Sequence, residues 1–102
     1  MIHVVAVITA QPGQRAAVLE AFKANVPAVL AEAGCIEYGA TVDAQGMPPS
    51  KGTFGEDTFV VVEKWATLDA LKEHAVTPHM VAYGAKTKDL LASRVIHVLE
   101  PV

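Results

Sequence analysis

Thr58-Phe59-Val60-Val61-Val62-Glu63-Lys64-Trp65 decides the fold. Its β-branched and aromatic content reads as a strand, and alternation sets Phe59, Val61, Glu63 and Trp65 on one face and Val60, Val62 and Lys64 on the other. Both faces are largely apolar. Toward the N-terminus, Ile2 to Ala10 repeats the pattern, with His3, Val5, Val7 and Thr9 opposite Ile2, Val4, Ala6 and Ile8, and stops at Gln11-Pro12-Gly13. Two helical regions can cover only one face of such a sheet, so the second apolar face predicts an isologous homodimer packed sheet against sheet.

Between these strands, Val18, Leu19, Phe22, Val26, Val29 and Leu30 recur at helical spacing within Gln14 to Ala33, with Arg15, Glu20, Lys23 and Glu32 marking a wetter side. Pro27 is expected to kink or divide that helix, and Gly34 to stop it. Cys35 to Val42 is a second strand, and the Gly/Pro-rich stretch Asp43 to Asp57, with its Pro48-Pro49 pair, is a long exposed loop. After Trp65, Thr67 offers an N-cap for a short helix carrying Leu68, Leu71 and Ala75, and Thr77-Pro78 restarts a helix running to about Ala92. Arg94 to Leu99 is the last strand. The order β-α-β-β-α-β predicts an α+β, ferredoxin-like split βαβ domain over residues 1–102, with an antiparallel sheet covered by helices on one side.

Composition narrows the partners. An apolar fraction of 52% against 19% charged residues excludes a disordered chain. A net charge of -3 with scattered Lys and Arg gives no basic field for nucleic acid. No run approaches the roughly 20 apolar residues of a membrane span, and Met1 to Ala10 lacks the basic lead and cleavage pattern of a signal peptide. Cys35 is the one cysteine, which suits a reducing compartment and predicts a cytoplasmic protein without disulfides or a thiolate metal centre.

Several positions carry chemistry. Glu63 shares a face with Phe59, Val61 and Trp65, so burial of that face obliges its carboxylate to find a partner or hold a raised pKa; at a strand end it could also escape to solvent. Trp65 is a core aromatic or a pocket wall with an N–H donor. His74 lies beside the Leu68, Leu71, Ala75 stripe and His79 at the next helix start, and either imidazole could act as a base or be an ordinary hydrogen-bonded side chain. Their spacing of five, without a third ligand, makes a poor metal site. Tyr38, Tyr83 and Asn25 could contact a polar aromatic ligand or simply edge the core. His3 and His97 read as strand side chains and Cys35 as a small buried residue. Nucleotide-binding glycine motifs and a nucleophile elbow are absent from the sequence.

Taken together, Glu32-Ala33-Gly34-Cys35-Ile36-Glu37-Tyr38, Phe59 to Trp65, Leu71-Lys72-Glu73-His74 and Thr77-Pro78-His79-Met80 resemble the antibiotic-biosynthesis-monooxygenase family, in particular its bacterial quinol monooxygenases. The resemblance runs from Pro12-Gly13 to the last strand. It implies a dimeric α+β barrel, a pocket between helices and sheet, and oxidation or oxygenation of quinols or related phenols by dioxygen with no metal, flavin or other cofactor. Carried over by position, it implies Trp65, Glu63 and His74 as catalytic residues, with His79 close behind; Tyr38, Phe59, Tyr83 and Asn25 are expected, with His79, to bind the aromatic substrate. His74 or His79 would deprotonate the quinol, whose anion reduces dioxygen while Trp65 and Glu63 orient it. Haem-degrading relatives carry an Asn on the first strand, and Ile2 to Ala10 has none. The rival expectations are a non-catalytic dimeric module for small aromatics and a purely structural or regulatory dimer.

Overall fold

In a computed structural model, which describes residues 1–48 and 51–102, the sheet is built around β1 (Ile2–Ala10) and β3 (Thr58–Trp65). These pair antiparallel in unbroken register from Ile2 opposite Trp65 to Thr9 opposite Thr58. The outer strands are β2 (Cys35–Thr41), beside β3, and β4 (Leu91–Leu99), beside β1, giving the order β2-β3-β1-β4 with every neighbour antiparallel. Helices α1 (Arg15–Leu30), α2 (Leu68–Ala75) and α3 (Pro78–Thr87) complete the β-α-β-β-α-β order, the second helical region being two pieces. Among the described residues no helix is long and apolar enough to cross a membrane.

One face of the sheet is covered. Ile2, Val4, Ala6 and Ile8 of β1, Phe59, Val61 and Trp65 of β3 and Tyr38 of β2 form a core with Val18, Phe22 and Val29 of α1. The other face carries Val5, Val7, Val60 and Val62, which are only half-buried and have no helix over them. Strand β4 is exposed along its length except at Leu91, which packs against the core. Ile96 and Val98, in register with Ala6 and Val4 of the covered face, are still 52% and 49% exposed. On the open face Val95 and Leu99 are exposed to a similar degree.

Three boundaries differ from the expectations, each for a tertiary reason. Helix α1 runs undivided through Pro27 and ends at Leu30, three residues short of Ala33. Pro27 sits in the final turn, where the Ala31 N–H donates to its carbonyl and the Glu32 N–H to that of Val29. Proline there forgoes the one bond its own N–H would have made to Lys23 O, and the turn closes through these later bonds. Helix α3 ends at Thr87 rather than Ala92, and β4 begins at Leu91 rather than Arg94. The Gln11 backbone N–H donates to Leu90 O at 2.8 Å and its side-chain amide to Leu91 O at 3.2 Å, drawing a locally helical Leu-Leu-Ala run into the sheet beside β1. The expected loop after β2 is present. Asp43 closes it by accepting the backbone N–H groups of Phe54 and Gly55, and Pro49, half of the expected proline pair, lies outside the described residues.

The turn from α1 into β2 brings the chain unusually close to α2. Gly34 has φ +83°, a conformation that L side chains rarely adopt, and a Cβ there would lie 2.7 Å from Cβ of Ala70 on α2. Its carbonyl also accepts the Ala66 N–H at 2.8 Å. Glycine thus lets the residues just after α1 press directly against α2.

Candidate active site

Alternation along β3 puts Phe59, Glu63 and Trp65 beneath the helices, Phe59 and Trp65 with 0% exposure. The Trp65 indole N–H donates to Glu63 Oε1 at 2.9 Å, so the acid finds the partner its burial requires. Burial raises the carboxyl pKa; the Trp65 hydrogen bond and nearby His74 act against that rise, and Glu32 adds to it. Tyr38 stands opposite Glu63 in the β2–β3 register. Its ring stacks on Phe22 with centroids 5.0 Å apart, and Phe22 meets Phe59 and Tyr83 edge-on. Burial pushes the Tyr38 and Tyr83 hydroxyls above the ordinary phenol range, so near neutral pH they are hydrogen-bonding groups rather than bases.

The break between α2 and α3 delivers the histidines. Thr67 caps α2 by accepting the Ala70 N–H, and Thr77 caps α3 by accepting the Met80 N–H while its hydroxyl donates to His74 O. Pro78 supplies the first residue of α3, leaving His74 in the last turn of one helix and His79 at the start of the next. A separation of five residues would scatter the two rings on one continuous helix; across this break they converge. His74 Nδ1 and His79 Nε2 each lie 2.8 Å from Glu32 Oε2. A carboxylate only accepts, so both of these nitrogens donate to it, and whichever ring is neutral carries its lone pair on the other nitrogen, His74 Nε2 or His79 Nδ1. The His74 ring also packs on Trp65, centroids 4.6 Å apart, and on the edge of Tyr38 at 5.6 Å.

The eight residues singled out from the sequence therefore fall into two groups. Trp65, Glu63, Tyr38, Phe59 and His74 form a packed inner cluster. Asn25, His79 and Tyr83 line an open cleft of about 220 Å³ between α1 and α3. The Asn25 amide donates to Met80 Sδ at its edge. Glu32 joins the groups, and its side chain is only 11% exposed. Sequence reasoning places it on the wet side of a helix; the helix ends two residues earlier, and the Gly34 turn swings the acid inward. An acid two residues before a glycine that opens a strand was the available signal. His3 and His97 sit on the open sheet face, in register with Leu99 and Val5. Burial raises the Cys35 thiol pKa, which keeps it a poor nucleophile. Among the described residues no group of three or more His, Cys, Asp and Glu side chains is arranged to hold a metal ion.

The Glu63 shift carries a signed consequence. Its folded-state pKa lies above the unfolded one, so the folded form suffers no ionisation penalty in acid and a growing one as pH rises through the raised value. Glu63→Gln, which retains an oxygen for the indole N–H, should raise the melting temperature at neutral pH. That gain should vanish below the ordinary carboxyl value of 4.5. Thermal unfolding followed by circular dichroism at both pH values is the check; an equal shift at both would contradict the burial argument.

Comparison with known proteins identifies the family. Residues 1–86 match the model of the antibiotic biosynthesis monooxygenase family. The chain is 39% identical over 104 residues to the Escherichia coli K12 protein named probable quinol monooxygenase YgiN, covering 99% of this chain and 98% of that one. Among solved structures it is similar to PA3566 from Pseudomonas aeruginosa, with a TM-score of 0.82, 28% identity and coverage of 99% of this chain and 93% of the other. It is likewise similar to Rv0793 from Mycobacterium tuberculosis, with a TM-score of 0.81, 27% identity and coverage of 99% and 94%. With a sheet covered on one face, a Trp65–Glu63 pair beneath the helices and a matching family model over most of the sequence, this chain belongs to the antibiotic biosynthesis monooxygenase family.

Proposed function

We propose that the chain is a cofactor-independent oxygenase or oxidase of quinols and related phenols, working as a cytoplasmic homodimer. The observation that carries this reading is the His74 imidazole, held by the Glu32 carboxylate and packed on the Trp65–Glu63 pair. It is a nearly dry base, 5% exposed, beside rings suited to an aromatic substrate. Family membership and the similarity to YgiN support the same chemistry.

The reaction uses the substrate as its own reductant. A quinol hydroxyl gives its proton to His74 Nε2, and the electron-rich anion reduces dioxygen. Transfer of two electrons and two protons yields quinone and hydrogen peroxide. In the oxygenating variant one oxygen atom stays on the ring, giving a hydroxyquinone, and the other leaves as water. His79, Tyr83 and Asn25 receive the substrate at the cleft, and a rearrangement of the packed inner cluster admits its hydroxyl to His74, where Glu63 and Trp65 orient the anion. The protein contributes base catalysis, positioning and exclusion of water.

The dimer follows from the uncovered sheet face. Val5, Val7, Val60 and Val62, with the exposed Val95 and Leu99 of β4, make one apolar surface, and a second copy of the same sheet is its economical cover. Sedimentation at micromolar concentration should give a dimer, consistent with an interface of roughly 2,000 Å². A stable monomer would refute this assignment.

Kinetics test the base. His74→Ala should lower kcat/KM for quinol oxidation by about 10²–10⁴-fold at neutral pH, the usual worth of a positioned general base, while His79→Ala should mainly raise KM. The His74→Ala deficit should shrink as pH rises, because the quinol then ionises unaided. A folded His74→Ala protein with full kcat/KM would make His74 a packing residue. Full activity in both single variants and the double variant would favour a module that binds small aromatics.

A further inference from the structure

We infer that Glu32 is the positioning residue of this site, aiming His74 through one shared carboxylate oxygen. The inference rests on the reading of His74 as the base and adds a residue that reading does not need. Three observations converge. Both imidazoles lie 2.8 Å from the same atom, Glu32 Oε2, although they come from different helices. The carboxylate is 11% exposed and the His74 side chain 6%, so few water molecules compete for either group. The carboxylate is carried by a turn that only glycine allows, because a Cβ at Gly34 would meet Ala70 of α2 at 2.7 Å. The backbone is thus shaped to bring this acid to the end of α2.

The chemical consequence concerns which nitrogen of His74 is basic. Glu32 accepts from Nδ1–H, so the lone pair stays on Nε2, on the opposite side of the ring. When Nε2 takes the phenolic proton, the imidazolium forms next to a carboxylate that is already hydrogen-bonded to it, and the developing charge is balanced without rearrangement. His79 Nε2–H donates to the same oxygen from the cleft side. A third group that orients a base in this way is the general logic of dyads and triads.

The test has two independent readouts. Long-range ¹⁵N–¹H correlation spectra should show neutral His74 protonated at Nδ1 in the native protein, retained in Glu32→Gln and lost to an Nε2-protonated or mixed form in Glu32→Ala. In quinol-dependent oxygen uptake, Glu32→Gln should lower kcat by about 10–100-fold at nearly unchanged KM, because the acceptor remains and the charge is gone. Glu32→Ala should fall about as far as His74→Ala. The double variant should fall no further than His74→Ala alone, because residues acting as a unit are not additive. An unchanged His74 tautomer in Glu32→Ala, an effect confined to KM, or losses that multiply in the double variant would each overturn the assignment. Slow His74→Ala with fully active Glu32→Ala would sink the role of Glu32 and leave the base intact. Fully active His74→Ala would sink both.

Discussion

The pairing of β1 with β3 is the constraint on which the rest depends. Its register, from Ile2 opposite Trp65 to Thr9 opposite Thr58, decides which half of each strand goes beneath the helices. A slip of one residue would turn Trp65 and Glu63 outward and bring Lys64 and Val62 under α2. Such a slip is strongly opposed, because Phe59 and Val61 would turn outward with them and lose their burial against the β1 side chains Val4 and Ala6. Apolar packing of the sheet thus places a carboxylate where a carboxylate is expensive, and the indole N–H two residues away limits that cost.

The same register leaves the opposite face apolar and half-covered. A second copy packed there, as proposed, would satisfy the hydrophobic effect without altering the face that carries the candidate site. Strand β4 belongs to the uncovered side in both senses, since its Ile96 and Val98 stay exposed and its Val95 and Leu99 lie on the open face.

Much of this was legible in the sequence because its causes are local. Strand β3 declares itself by composition, and the α2–α3 break by Thr77-Pro78, whose cap and fixed φ act within one turn. The place of His74 beside the apolar stripe of α2 followed from helical spacing. Glu32 was not legible, because its position depends on a glycine turn meeting an alanine on a helix far along the chain. The end of α3 differs for a related reason: Leu90, Leu91 and Ala92 are good helix formers, and pairing with β1 together with the hydrogen bonds from Gln11 draws the chain from Leu91 onward into the sheet. Pro27 does not divide α1, because the backbone bonds to Pro27 O and Val29 O close the turn that follows it. Tertiary contacts overrode local preference in these places, and two of them, the Glu32 turn and the region of α3, border the site.

Family membership places the chain among proteins that share this fold, and the chemistry assigned to it rests on a base, an aromatic wall and a substrate that carries its own electrons. Oxygen uptake by purified protein freed of metals and flavin, measured over a panel of quinols and anthrones, tests that claim most directly. The account predicts saturable, protein-dependent consumption of one dioxygen per substrate oxidised, unaffected by chelators. Uptake no faster than the spontaneous rate across the whole panel, or appearing only when a metal or flavin is added, would contradict it.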